Sequence, residues 1–336
     1  MKTPILILCL AGWLYQNPAL ACCSVSSQNV PAINADQTVI LLWDKERQME
    51  HFIRKASFRS QGDSVGFLVP SPSRPQLEES GNEAFPYLAE ITTPPASISG
   101  GFPLGCSVSS DALRSPKGVR VIEEKTLAGY ETVVLAADSG EALVKWLKEH
   151  QYAYTPEVAT WAQPYLEQKW YMIAMKIAKQ KNDKQDSNMA ASALRISFKT
   201  DHPLFPYREP DSRSDAAALG IKDRILRIYF VAEAKYDGNF STSQAWTGKM
   251  MWSHPLSNEQ RSQLLAHLKL DQNTGPAAFW LSEFVDHWPY GIAPGDVYFS
   301  RSADQGEVGQ STFSWSLDPA FPCVLALGLL WSKRRR

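Results

Sequence analysis

The sequence predicts an α+β fold, with largely antiparallel β-sheets and helices packed against them. Runs of branched and aromatic residues recur at strand length, and helical patterns open at recognisable capping residues. Strands and helices also follow one another without the regular β–α alternation that marks a parallel sheet.

Residues 38–44 are rich in branched and aromatic side chains and read as a strand, 49–57 alternate as a second, and 65–69 form a third that Pro70, Pro72 and Pro75 stop. An antiparallel meander of these three is expected. A short helix over 84–90 follows, then a Pro-, Gly- and Ser-rich surface loop over 93–117 that contains Cys106. Residues 118–124 and 130–137 read as paired strands around a turn at Leu127, Ala128 and Gly129. A helix begins near Asp138 and Ser139, with Glu141 placed for a capping box and Ala142, Leu143, Trp146 and Leu147 on one face, and ends near His150. Thr155 caps a second helix that Pro156 opens and that runs toward Trp170, with Pro164 bending or splitting it. Residues 171–177 and 194–198 return to strand around an exposed polar run at 179–187. In the last third, 224–235 alternate as a long strand that pairs with 249–252, and Ser257 with Gln260 forms a capping box for a helix through Leu264, Leu265 and Leu268. A second short helix is expected over 278–285 and a final strand over 296–300. The chain thus divides into a signal segment (1–21), an N-terminal α+β domain (22–200), a C-terminal α+β subdomain (201–316) and a tail (319–336).

Several of these segments carry a resemblance. Gly66-Phe67-Leu68-Val69-Pro70-Ser71-Pro72, Gly118-Val119-Arg120-Val121-Ile122, the run from Gly129 to Asp138, Leu143-Val144-Lys145-Trp146-Leu147 and Tyr171-Met172-Ile173-Ala174-Met175-Lys176 resemble the bacterial domain of unknown function 2330 family. The likeness continues through Leu194-Arg195-Ile196-Ser197-Phe198 and Pro203-Leu204-Phe205-Pro206-Tyr207-Arg208, covering 22–210 well and the rest loosely. It implies an exported protein whose mature chain starts with cysteines and ends in a membrane segment or sorting tail. It implies no activity and no catalytic residues. Leu68 stands where the family pattern has a bulky aromatic.

The two ends point to the same compartment. Lys2, the apolar run from Ile5 to Ala11 and then Ala19-Leu20-Ala21 follow the order of a secretory signal peptide. Cleavage before Cys22 fits the small-residue rule; lipidation of Cys22 is the alternative, although Ala19 occupies a position where a lipoprotein site has a larger aliphatic residue. At the other end, an apolar run from Phe321 to Trp331 precedes Lys333, Arg334, Arg335 and Arg336, a basic end that stays cytoplasmic by the positive-inside tendency. About 12 apolar residues span only ~18 Å of a ~30 Å hydrocarbon layer. A short anchor, a sorting tail and a buried terminal element therefore all remain open. An oxidising compartment permits a disulfide from Cys22 or Cys23 to Cys106.

The composition bounds the chemistry. With 336 residues, 44% hydrophobic and 21% charged, and a net charge of −1, the chain can bury a core and lacks the basic excess that draws proteins to nucleic acid. Neither cysteines nor histidines stand at zinc-ligand spacing, so no metal and no cofactor are implied. Residues 62–66 match G-x-S-x-G around Ser64, but a strand leaves the motif where a nucleophile elbow needs a helix. Asp201-His202 and Asp286-His287 are acid–histidine neighbours, and adjacency alone does not orient an imidazole. Phe205, Tyr207 and Arg208, stiffened by Pro206 and Pro210, form a candidate loop for a peptide or carboxylate, or else a proline-punctuated connection. Trp280, Trp288 and Tyr290 are candidates to rim a groove, whereas Trp146 and Trp161 belong to helical apolar faces. The expectation is an exported cell-envelope protein, a non-catalytic binding or structural module that meets an envelope protein or peptide and is held at the membrane by its tail or a lipid. The alternative is an envelope hydrolase with a serine nucleophile.

Overall fold

The computed structural model describes residues 23–26, 32–34, 36–55, 57–60, 64–93, 118–152, 156–178, 188–190, 192–241, 244–291 and 293–309. The signal segment, Cys22, Cys106 with the loop at 94–117, Thr155, the polar run at 179–187 and the tail at 319–336 lie outside the described residues.

Seven strands, β1 (Cys23–Ser26), β2 (Ala32–Asn34), β3 (Gln37–Asp44), β4 (Met49–Lys55), β5 (Ser57–Ser60), β6 (Ser64–Ser71) and β7 (Gln76–Glu79), precede helix α1 (Ala84–Thr92). The pair β8 (Val119–Leu127) and β9 (Tyr130–Ala137) leads to α2 (Gly140–Glu149), α3 (Pro156–Glu167) and β10 (Tyr171–Ala178). Next come β11 (Asn188–Ala190), β12 (Leu194–Lys199), β13 (Leu204–Phe205) and α4 (Arg213–Ala218). The last elements are β14 (Arg224–Ala232), β15 (Tyr236–Phe240), β16 (Lys249–Pro255), α5 (Asn258–His267), β17 (Trp280–Trp288) and β18 (Val297–Arg301). The chain is mostly sheet, with five helices among the described residues.

The largest sheet has seven strands in the order β16-β17-β14-β3-β4-β12-β7, antiparallel except where β3 runs parallel to β14. A five-stranded antiparallel sheet, β1-β6-β10-β9-β8, packs against it, and smaller sheets join β11-β5-β2 and β13-β18-β15. Period-2 alternation sorts the side chains of each large sheet between two faces. Val39, Leu41, Phe52 and Ile228 of the larger sheet meet Phe67, Val69, Val134 and Ile173 of the other. Behind the larger sheet, Ile40, Leu42, Ile53 and Tyr229 pack on Leu88 of α1 and Leu264 and Leu265 of α5. Behind the five-stranded sheet, Leu68, Val133, Leu135 and Met172 pack on Leu143 and Trp146 of α2 and Trp161 of α3. The layers run helix, sheet, sheet, helix.

Local chemistry explains several boundaries. Between β8 and β9, Ala128 and Gly129 take φ of 54° and 85°, the paired positive values of a tight hairpin turn. Ser257 and Gln260 make both bonds of the capping box that opens α5. Ser139 accepts the Ala142 N–H at 3.2 Å to cap α2, but Glu141 stands one position too early to return the second bond.

Four expectations change. Only β3 and β4 form the expected hairpin; β6 leaves for the other sheet, between β1 and β10, because Phe67 and Val69 on one face and Leu68 on the other both need cover. It runs through Pro70 to Ser71 rather than stopping at the proline. Pro164 lies inside α3, which is not split there. Residues 280–288 form strand β17, not a helix. Trp280, Leu281, Phe284 and Val285 fit a helical stripe, but pairing on both sides with β14 and β16 satisfies the backbone and decides the outcome. Accordingly β16 pairs with β17 instead of β14. Strands from both sides of the 200/201 boundary share the seven-stranded sheet.

Helix α2 begins against α3 at Gly140, whose N–H donates to Gln163 Oε1 at 3.1 Å. A Cβ there would lie 2.3 Å from the Ala159 carbonyl oxygen. Alanine is the better helix former by ~1 kcal/mol, yet the clash with rigid backbone wins. Gly140→Ala is expected to destabilise by about 1–3 kcal/mol, read from urea unfolding midpoints.

Candidate functional site

The turn between β3 and β4, the end of β6, the start of β10 and the end of β12 meet at one end of the sandwich. There an open cavity of about 410 Å³ is lined by Gln48, Pro72, Trp170, Lys199, Thr200, Asp201, His202, Leu204 and Tyr298. Backbone bonds hold its rim. The Thr200 N–H donates to the Gln48 carbonyl at 3.0 Å, the Ser73 hydroxyl to the Lys199 carbonyl at 2.8 Å, and the Phe299 N–H to the Pro203 carbonyl at 2.9 Å. Thr200 spends its hydroxyl on the His202 carbonyl at 2.8 Å, so it is not poised by the imidazole as a nucleophile. Trp170 lies against Tyr165 with ring centroids 5.2 Å apart. Burial, with Asp296 next, pushes the Tyr298 phenol up to about 12, so it remains a hydrogen-bond donor.

Behind the Leu204 wall lies Glu50, 0% exposed. Its Oε2 accepts the Leu204 N–H at 2.8 Å, while Oε1 has no hydrogen-bond partner among the described residues. Burial raises this carboxyl well above the usual carboxylate range, and the Leu204 bond opposes that only in part. Glu50 shares its strand face with Phe52 and Arg54, so a charged residue in the inward phase of an apolar strand was its only sequence signal.

The loop from Phe205 to Arg208 lies beside this cavity but inside the protein. Phe205 and Tyr207 are each 2% exposed, and their rings belong to the core between the sheets. The Tyr207 hydroxyl donates to Asp286 Oδ2 at 2.6 Å; Trp246 Nε1 donates to the same oxygen at 3.0 Å and the Thr247 hydroxyl to Oδ1 at 2.8 Å. Burial, reinforced by Asp286, pushes the Tyr207 phenol up. Arg208 lies over the Tyr165 ring at 4.5 Å and reaches Asp296 Oδ2 at 3.3 Å. Trp288 and Tyr290 hold the Arg224 guanidinium between their rings at 3.8 and 4.5 Å, and Trp280 donates to Ser253 at 2.6 Å. These aromatics face the interior and its polar groups rather than a groove.

The histidines are dispersed. His51 is hydrogen-bonded to Ser197 at 2.8 Å across β4 and β12, and burial first, then Arg195, lowers it to about 4, which leaves a poor base at neutral pH. His150 stacks on Trp146 at 4.0 Å, His254 contacts Glu307 at 3.0 Å, and His267 lies against Tyr87 at 5.0 Å. Asp286 and His287 point to opposite faces of β17, as neighbours in a strand must. Asp201 and His202 both line the cavity. Ser64 opens β6, so a strand follows it where the elbow geometry needs a helix. Among the described residues no three His, Cys, Asp or Glu side chains gather as metal ligands. Cys23 begins β1, and Cys22 and Cys106 lie outside the described residues.

Two outcomes follow from the buried acids. The folded state holds a proton on Glu50 that the unfolded chain releases above ~4.3, so this group stabilises most at low pH and its contribution is lost as pH climbs toward the folded value. Glu50→Gln, neutral throughout, is expected to melt with the parent near pH ~4 and above it at pH ~8. Thermal melts of the two across that range test this, and a gap that stays constant with pH contradicts it. Tyr207→Phe removes the 2.6 Å donor from buried Asp286 and is expected to cost about 1–3 kcal/mol in denaturant unfolding.

No curated protein matches the chain. Among solved structures, the crystal structure of baculovirus p35 is similar with a TM-score of 0.35, at 8% identity over 85% of this chain and 98% of that one. A mutated baculovirus p35 after caspase cleavage gives a TM-score of 0.33, at 8% identity over 82% and 98%. A likeness of this size carries no argument about this chain. The model of a family of uncharacterized proteins conserved in bacteria, domain of unknown function 2330, matches residues 17–286, and the chain belongs to that family.

Proposed function

We propose that the protein is an exported cell-envelope component that works without catalysis, as an α+β binding module held near the membrane. The observation that carries this reading is the cavity of about 410 Å³, whose lining offers aromatic and hydrogen-bonding surface with the Thr200 hydroxyl already committed to a backbone carbonyl. A concave lining of this kind supports a binding reading, and no serine stands in it beside His202 and Asp201.

The export and tethering parts rest on the two ends of the sequence. Lys2, the Ile5–Ala11 run and Ala19-Leu20-Ala21 support secretion, and the 321–331 run with its terminal arginines supports retention at the membrane. No helix among the described residues is long and apolar enough to cross a membrane. The tether in this reading is the tail or a lipid on Cys22. A disulfide from Cys22 or Cys23 to Cys106 fits the same compartment. The partner class is an envelope component, a protein, peptide or smaller ligand presented outside the inner membrane.

Fractionation and intact-mass measurement of the natively expressed chain test the topology. The expected outcome is a membrane-associated species that begins at Cys22 and retains Arg336. A soluble cytoplasmic species that retains the segment from Lys2 to Ala21 would overturn it.

A further inference from the structure

We propose that the cavity at the sandwich end is a saccharide-binding site; this deepens, and rests on, the reading of the protein as a binding module. The argument begins with the mixture of groups in the lining. Gln48 both donates and accepts, Asp201 only accepts, Lys199 only donates, and His202 adds a ring nitrogen of either role. Tyr298 and Pro72, both partly exposed, supply apolar surface between them, backed by the largely buried Trp170 and Leu204.

Three ligand chemistries can be weighed against that lining. A compact anion would find Lys199 and His202 but also the Asp201 carboxylate, a like charge inside the same site. A wholly apolar ligand would strip water from Lys199 and Asp201 and return no hydrogen bonds to either ion. A hydroxyl-rich neutral ring suits every group, since each hydroxyl both donates and accepts while the C–H faces of the ring lie on aromatic surface. The volume of about 410 Å³ is at the small end of ligand pockets and has room for about one or two pyranose rings.

The site is also built in advance. The Lys199–His202 segment is pinned by Gln48 and Ser73, and the Leu204 wall by the buried Glu50 carboxyl at 2.8 Å. Trp170 is wedged against Tyr165, which itself donates to Asp296 at 3.0 and 3.1 Å. A ligand entering such a rim pays little to order it, which suits recognition through a few hydrogen bonds and ring contacts.

The test is a titration of the mature full-length protein with glucose, N-acetylglucosamine and cellobiose, followed by tryptophan fluorescence and by amide shifts in NMR. Sodium phosphate and triglycine serve as the competing probes. Saccharide-dependent shifts at residues 199–204, weakened about tenfold by Asp201→Ala and by Tyr298→Ala in variants that keep the parent melting curve, support the proposal. If Tyr298→Ala fails to fold, Asp201→Ala and Gln48→Ala on the exposed rim carry the same test. Shifts at these residues with phosphate or triglycine alone overturn the saccharide assignment and leave the binding module standing. No shift with any probe overturns the saccharide site and the small-ligand form of the module together.

Discussion

Asp296 is the constraint on which the arrangement of this molecule turns. Its buried carboxyl accepts the Tyr165 hydroxyl from α3, the backbone N–H groups of Tyr207 and Arg208, and the Arg208 side chain. Burial raises this acid above its ordinary range, and the Arg208 charge and these donors pull the other way. Removing any one of them leaves a buried polar group uncompensated, so the helix layer, the 203–210 crossing and the approach to β18 are locked as a set. Asp286 repeats the device on the other side of Tyr207 with Trp246 and Thr247. The core between the two large sheets then fills around a crossing segment whose course is already decided.

The cavity inherits its shape from that lock. Leu204 and Tyr298 are cross-strand partners on β13 and β18, and β18 starts immediately after Asp296. Trp170 follows α3, whose Tyr165 is one of the Asp296 donors. Glu50 closes the wall from the opposite sheet as a buried acid, one of whose oxygens has no hydrogen-bond partner among the described residues. Burial favours the protonated form of this carboxyl, and its bond to the Leu204 N–H keeps the pocket wall in place.

Much of the secondary structure was legible because its signals are local. The Ala128-Gly129 turn, the Ser257 and Gln260 capping box, and the one-sided apolar faces with Trp146 and Trp161 each lie within a few residues. The β17 segment is ambiguous in the sequence because Trp280, Leu281, Phe284 and Val285 satisfy a helical period as well as a buried strand. The cavity had no signature at all. Its lining comes from the β3–β4 turn, the end of β6, the residue before β10, the loop after β12 and β18, and of these only the adjacent Asp201 and His202 stand together in the sequence as an acid–histidine pair.

By itself, then, the sequence determined the family to which the chain belongs and those elements that local signals mark, such as the β8–β9 hairpin and the capped helices α2 and α5. Backbone propensity, capping and turn chemistry act over a few residues and are written directly in the order of side chains. Tertiary structure alone decided that β3 runs parallel to β14, that β6 crosses to the other sheet, and that Phe205 and Tyr207 turn inward while Lys199 to His202 face the cavity. The reason is that backbone hydrogen bonds between distant strands and the burial of carboxyl groups such as Asp296 are satisfied by partners far along the chain, and no local pattern names a distant partner.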